Sequence, residues 1–289
     1  MGYRIVTDST IDLTQKMIAE LELTVGTLKF TIEGDTYEDR SDKSELPTPK
    51  FYNMLREGKM SITTQINTEE FTDLFEPILA AGEDILYIGF SSGLSGTYQS
   101  ACIAAEDLRE KYPERKLYTV DSLSASMGQG LLVWYACKKQ QEGTELDALA
   151  DWVTENRLRL CHWFTVDDLM YLKRGGRVSA ATALVGTMLN IKPVLHVDDE
   201  GHLISKSKVR GRKAAIEALA DKMGQLALPG ENDTVFICHG DCIQDAEQLA
   251  AIVKEKHGVK EVFIGYTGAV IGSHSGPGTL ALFFMGEHR

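Results

Sequence analysis

Three stretches of the chain set hydroxyls, glycines and a histidine at spacings that chemistry can use. Gly89-Phe90-Ser91-Ser92-Gly93 matches the pattern GxSxG between a strand-like and a helix-like run. An α/β-hydrolase presents its nucleophile in that way. His274 follows downstream with Asp121 and Asp168 in between, so chain order permits a serine esterase built on Ser91 and His274. However, Gly93-Leu94-Ser95-Gly96 separates the motif from the helix-like run, whereas an elbow serine leads straight into its helix. Ser95 and Thr97 then stand at the helix start, where free N–H groups and neighbouring hydroxyls, including Ser92, favour an anion. An ordinary helix cap at Ser95 is the plainer alternative.

Ser61-Ile62-Thr63-Thr64-Gln65 is a second hydroxyl-rich run, which a capped loop would explain equally well. Ile271–Thr279 sets His274 among three glycines and a proline. That composition lets a backbone come close to something, although a lone histidine also serves structure. Leu172-Lys173-Arg174-Gly175-Gly176-Arg177 concentrates three cations. It reads either as a helix C-terminus with a glycine cap or as a docking point for a phosphate-bearing or acidic partner. Cys238 and Cys242 flank His239 and Asp241, but with no second ligand pair they make a weak metal site, and no metal is expected.

These residues must be held by a scaffold, and its class is legible. The 289 residues carry a net charge of −12, which disfavours nucleic acid and anionic membrane as partners. No apolar run reaches the roughly 18 residues needed to cross a bilayer. The N-terminus enters a strand-like pattern at once and has no leader pattern, and the five cysteines contain no CxxC. We therefore expect a cytoplasmic protein with reduced thiols. Strands are expected at Tyr3–Thr7, Thr24–Ile32, 84–90 and Lys116–Asp121. Helices are expected at Asp12–Glu22, from Pro49 to Arg56, at Phe71–Ala81 behind an Asn67/Glu70 capping box, and at about 97–110, 125–141 and 145–158. This alternation predicts a parallel α/β sheet. Beyond residue 160, strands at Cys161–Val166, Pro193–Val197, His202–Val209, Thr234–Cys238 and Glu261–Tyr266 and helices at Asp167–Lys173, 211–227 and 243–257 predict a second α/β unit. We expect domains 1–160 and 161–289, closely packed, with no oligomer required. The apolar runs Leu123–Cys137 and Ala180–Leu189 are core helices or the wall of an apolar tunnel.

Taken in order, the motifs resemble those of a known family. Thr7-Asp8-Ser9-Thr10, Thr63-Thr64-Gln65, Ser91 to Ala101, Leu172 to Arg177 and the His274 loop together resemble the DegV family of fatty-acid-binding proteins over essentially the whole chain. The family includes the binding subunit of bacterial fatty acid kinase. Thr64 stands in place of a usual serine and Ile66 in place of a common proline. The resemblance implies two α/β domains with an acyl-chain tunnel between or beside them, and a carboxylate held by Thr63 and Ser95 with His274 close by. It also implies a partner kinase docking at Arg174, which phosphorylates the bound carboxylate to an acyl phosphate for phospholipid synthesis. The binding subunit itself would be no enzyme, would need no cofactor, and is compatible with transient membrane contact. An acyl tail of about 14 methylenes at ~0.8 kcal/mol each contributes roughly 11 kcal/mol gross, so the tail would supply affinity and the polar loops orientation.

Overall fold

The computed structural model describes residues 2–179 and 190–289; the apolar run Ala180–Leu189 lies outside the described residues. Strands β1 (Tyr3–Asp8), β2 (Thr24–Gly26), β3 (Lys29–Ile32) and β4 (Asp35–Glu38) open the chain, with helix α1 (Gln15–Glu20) after β1. Then come α2 (Thr48–Arg56), β5 (Ser61–Thr64), α3 (Thr68–Ala80), β6 (Asp84–Gly89), α4 (Thr97–Lys111), β7 (Leu117–Asp121), α5 (Met127–Gln141) and α6 (Leu146–Asn156). Strands β2, β1, β6 and β7 form a parallel sheet in that order. Helices follow its strands because parallel neighbours need long crossovers.

The remaining strands are β8 (Leu160–Thr165), β9 (Ile191–Val197), β10 (Leu203–Arg210), β11 (Thr234–His239), β12 (Glu261–Tyr266) and β13 (Leu280–Met285). The helices among them are α7 (Met170–Arg174), α8 (Arg212–Leu226), α9 (Ile243–His257) and α10 (Ala269–Ser275). The six strands form one sheet in the order β10-β9-β8-β13-β11-β12, in which only β11 and β12 run parallel. Strands β4, β3 and β5 form a small antiparallel third sheet; the two larger sheets carry helices, giving a mixed α/β fold. Helix α5 lies between them. It packs on β6 from one side and on β8, β11 and β13 from the other, and Met127–Val133 are all buried. The run Leu123–Cys137 is thus mainly a core helix.

Four local expectations change. The Asp12–Glu22 helix begins only at Gln15, because Asp12 turns left-handed with φ 52° and gives its carboxylate to the Gly268 N–H at 2.9 Å. Thr24–Ile32 breaks into β2 and β3, which belong to different sheets. Between them the Leu28 N–H donates to Ser9 Oγ at 3.0 Å. Most of the run Ser61–Gln65 is a strand rather than a capped loop; β5 pairs with β3, placing Thr63 opposite Phe30. The His274 segment is largely helix α10 and leads into β13, whose six residues are all buried.

Candidate functional site

Thr63, Ser95 and His274 come from three distant parts of the chain and meet on the wall of one cavity of about 340 Å³. That size lies within the ~300–1,000 Å³ usual for small-molecule sites. Much of the wall is apolar, including Leu28, Phe90, Leu94, Phe164, Leu203 and Ile271. Pairing of β5 with β3 carries Thr63 there, and its Oγ1 lies 2.8 Å from His274 Nε2. His274 is seated against Gly175, where an added Cβ would collide with Nδ1 of the ring. Burial, followed by the charge of Arg177, pushes the His274 pKa down to about 4. The imidazole is therefore neutral at pH 7 and exchanges a hydrogen bond with Thr63 as a neutral ring.

Ser95 closes the loop before α4. Its Oγ accepts from the Thr97 N–H at 3.2 Å and lies 2.9 Å from Thr97 Oγ1. Gly96 stands at the helix N-cap and also lines the cavity. A side chain there would strike Gln65 Oε1 at 2.5 Å, so glycine lets β5 and the α4 start approach each other. Hydroxyls and the positive end of a 15-residue helix thus converge on one polar patch in a largely apolar cavity.

The other residues of this loop do different work. Ser91 is fully buried and its hydroxyl donates to the Gly201 carbonyl at 2.9 Å, tying the loop to the β9–β10 turn. His274 is engaged with Thr63, Asp121 accepts from the Ser92 and Leu123 N–H groups, and Asp168 accepts from the Met170 N–H. No triad forms among these residues, and the esterase expectation on Ser91 and His274 is corrected. Ser92 is exposed and absent from the described cavity wall, so it is not placed as a head-group ligand. Thr97 is buried behind Ser95 and supports it rather than lining the cavity.

Arg174 lies outside the cavity. It lines a neighbouring cleft of about 250 Å³ together with Lys59, Met60, Ile62 and Tyr171. Its guanidinium sits 4.5 Å from the Tyr171 ring centroid, and the Tyr171 hydroxyl donates to the Leu55 carbonyl at 3.1 Å. Thr63, Arg177 and His274 line both spaces, so the polar patch borders the cavity on one side and the cleft on the other.

The family model described as "Uncharacterised protein, DegV family" matches residues 3–287. The chain belongs to the DegV family. It is 46% identical over 285 residues to a DegV domain-containing protein of Clostridium perfringens, covering 99% of this chain and 98% of that one. A DegV domain-containing protein of Lactococcus lactis is 38% identical, covering 98% and 97%. Among solved structures, a Thermus thermophilus DegV family protein described by its fatty acid binding superposes with a TM-score of 0.88 at 31% identity, covering 99% and 100%. A Thermotoga maritima DegV protein described as lipid-binding does so with a TM-score of 0.86 at 29% identity, covering both chains fully.

Several features of the cavity and its supports escaped the sequence. Arg177 was one cation of a basic run, and its place on the cavity wall comes from the turn after α7. Ser275 Oγ and His162 Nδ1 are buried polar atoms of wall residues, without a hydrogen-bond partner among the described residues. The role of Asp8 was also hidden. Its carboxylate accepts from the Phe90 N–H at 3.0 Å and the Tyr87 hydroxyl at 2.9 Å, fixing the point where β6 gives way to the serine loop. The start of α10 is gripped similarly: Asp12 accepts from the Gly268 N–H and Asp39 from the Val270 N–H. Burial, and then the charge of Asp39, pushes the Asp12 carboxyl up to about 7. Among the described residues no group of side chains is arranged to hold a metal, and no helix is long and apolar enough to cross a membrane.

Proposed function

We propose that this DegV protein carries one long-chain fatty acid, with its tail in the inner cavity and its carboxylate on Thr63 and Ser95 beside His274. The observation that carries this reading is the largely apolar cavity whose wall bears hydroxyls from two loops and the start of α4. A small hydrophilic anion would leave that apolar wall uncovered. Fatty acid binding is also what the Thermus thermophilus relative is described by. The chain divides in this reading into domains 1–160 and 161–289, supported by the start of the six-stranded sheet at Leu160.

The carrier presents its carboxylate through the outer cleft to an ATP-dependent kinase, which docks at Arg174 and forms the acyl phosphate for phospholipid synthesis. Support comes from the three residues shared by cavity and cleft, and from exposed Met60 and Ile62 beside Arg174. The carrier itself performs no phosphoryl chemistry, acts as a monomer, and works in the cytoplasm. Its five free cysteines suit a reducing compartment.

Native mass spectrometry with solvent extraction tests the carrier. We expect close to one fatty acid per chain; an empty protein that also refuses added fatty acid overturns the reading. For the kinase role, Arg174→Ala should lower acyl-phosphate formation by a partner kinase while bound lipid stays constant. Equal loss of lipid and product would remove the docking role.

A further inference from the structure

Three charged side chains meet behind the cavity wall, at the start of α10. A Cβ on Gly268 would stand 2.5 Å from Asp12 Oδ1, 3.0 Å from Asp39 Oδ2 and 3.4 Å from Lys43 Nζ. Asp12 and Asp39 are buried, and Lys43 donates to Asp39 at 2.7 Å. Asp12 accepts from the Ser126 hydroxyl and the Gly268 N–H, and Asp39 from the Val270 N–H. Among the described residues, the other titratable groups facing this spot bring no cation. Tyr52 donates to the Thr267 carbonyl, and Cys238 Sγ accepts from the Ser126 and Thr267 hydroxyls. Burial pushes both pKa values up, so both groups are neutral at pH 7. Arg40 and Asp42 are exposed on the same loop as Lys43. Two buried carboxylates therefore share one ammonium. Like charges so placed oppose ionisation of both, and the Asp12 carboxyl is pushed up to about 7 accordingly.

Asp12 also holds the wall itself. Ser126, Thr267 and Val270 line the cavity. Ser126 takes a positive φ of 55° at the start of α5, a strained backbone for serine, and its hydroxyl is fixed on Asp12. We propose that Asp12 is a positioning residue of the cavity wall and that loading the cavity with an acyl chain takes up a proton at its carboxyl. A tail against Ser126, Thr267 and Val270 removes water from the near side of the cluster and weakens the screening of its excess negative charge. A bound carboxylate adds repulsion of the same sign. Both favour neutral Asp12, so affinity is highest below its titration and falls as pH rises through it. The inference rests on the fatty-acid reading above and adds a proton to it.

Isothermal titration of the full chain at pH 7, repeated in buffers of different ionisation enthalpy, counts the protons taken up per ligand. The ligands are a long-chain fatty acid and the fatty alcohol of equal chain length, which has no proton of its own to exchange. We expect both to draw in a measurable fraction of one proton. Alcohol affinity should fall about three- to tenfold between pH 6 and pH 8.5, since a pKa rise of one unit corresponds to about tenfold. Asp12→Asn should abolish the alcohol's uptake and flatten its profile. The acid's own proton is common to parent and variant, so the difference between them reads Asp12. Lys43→Gln leaves the carboxylates without their ammonium and should move the profile to higher pH. Melting curves check folding, and Lys43→Gln decides if Asp12→Asn does not fold. Uptake that survives in Asp12→Asn, or a profile that Lys43→Gln leaves in place, overturns the inference. Binding by the parent with no uptake and a flat profile also overturns it while leaving the carrier intact. If the parent binds neither compound, the carrier fails and the inference falls with it.

Discussion

Two polar clusters flank the serine loop, and they are finished differently. Around Asp8 everything is matched. The carboxylate is fully buried and accepts from Thr10, Tyr87, Phe90 and Gln129, while Thr7 donates to the Ile88 carbonyl. Around Thr63 the inventory stays open. Thr63 and Ser95 each satisfy one neighbour and still face a cavity, and among the described residues Arg177 meets only carbonyls and Ser275 Oγ has no partner. A closed polar cluster holds the backbone, because leaving any member unpaired in the interior is costly. An open cluster on a largely apolar cavity has donors to spare, and a ligand can complete them. Buried polarity alone does not mark a site; unspent donors do.

This contrast can be broken in order of expected effect. Thr63→Ala with Ser95→Ala should cost the most. Losing two hydrogen bonds to a charged group, at about 1.5–3 kcal/mol each, predicts roughly a hundredfold or greater loss of acid binding. The bonds to His274 and Thr97 are lost as well, so we also expect about 1–2 kcal/mol of destabilisation, and isothermal titration with a parallel melt reads both quantities. A large stability loss with unchanged binding would invert the assignment of the two clusters.

Asp8→Ala should do the opposite. Four residues lose their acceptor, so we expect destabilisation of about 3–5 kcal/mol by denaturant titration. The surviving folded fraction should keep its preference for acid over alcohol. A variant as stable as the parent would show that the cluster is not structural.

Gly175→Ala probes the seam between the clusters and the cavity. The methyl group would press on His274 and push the ring away from Thr63. We expect about 1–3 kcal/mol of destabilisation, together with weaker acid binding. Unchanged acid affinity would remove His274 from the positioning of Thr63.

The smallest effect should appear in the pH dependence. His274 and His196 are both held near pKa 4, mainly by burial, below the ordinary 6.5. Each takes up its proton more readily when unfolded, so its contribution is complete above about pH 6.5 and is lost as pH falls toward 4. Asp12 acts in the other direction, because its raised pKa favours the folded state at low pH and that benefit fades as pH rises from about 4 through 7. Melting curves of His274→Asn should show a flatter acid limb, by on the order of 1–2 kcal/mol. A parent curve that is equally flat would contradict the buried neutral imidazole.

Much of this protein was legible one residue at a time. The alternation of strand and helix announced the parallel sheet, Asn67 with Glu70 capped α3 as their spacing required, and α9 spans the expected Ile243–His257. Ser95 at a helix start and His274 among glycines drew attention, but caps and structural roles explained those stretches and the Thr63 run as well, and it was the resemblance to the DegV family that put Thr63, Ser95 and His274 together at a carboxylate. These signals are local, since period, capping and turn chemistry act within a few residues. Other features depended on distant partners. β5 is a strand because β3 lies beside it, and β13 joins an antiparallel ladder between β8 and β11. Ser91 and Ser95 have the same side chain four residues apart. One faces the Gly201 carbonyl and the other a cavity, and only the packing of the β9–β10 turn against their loop separates them. Arg177 is similar. Its charge was plain in the sequence, but that it meets the Leu94 and Gly175 carbonyls rather than a carboxylate among the described residues depends on which chain segments surround it, and tertiary structure alone decides that.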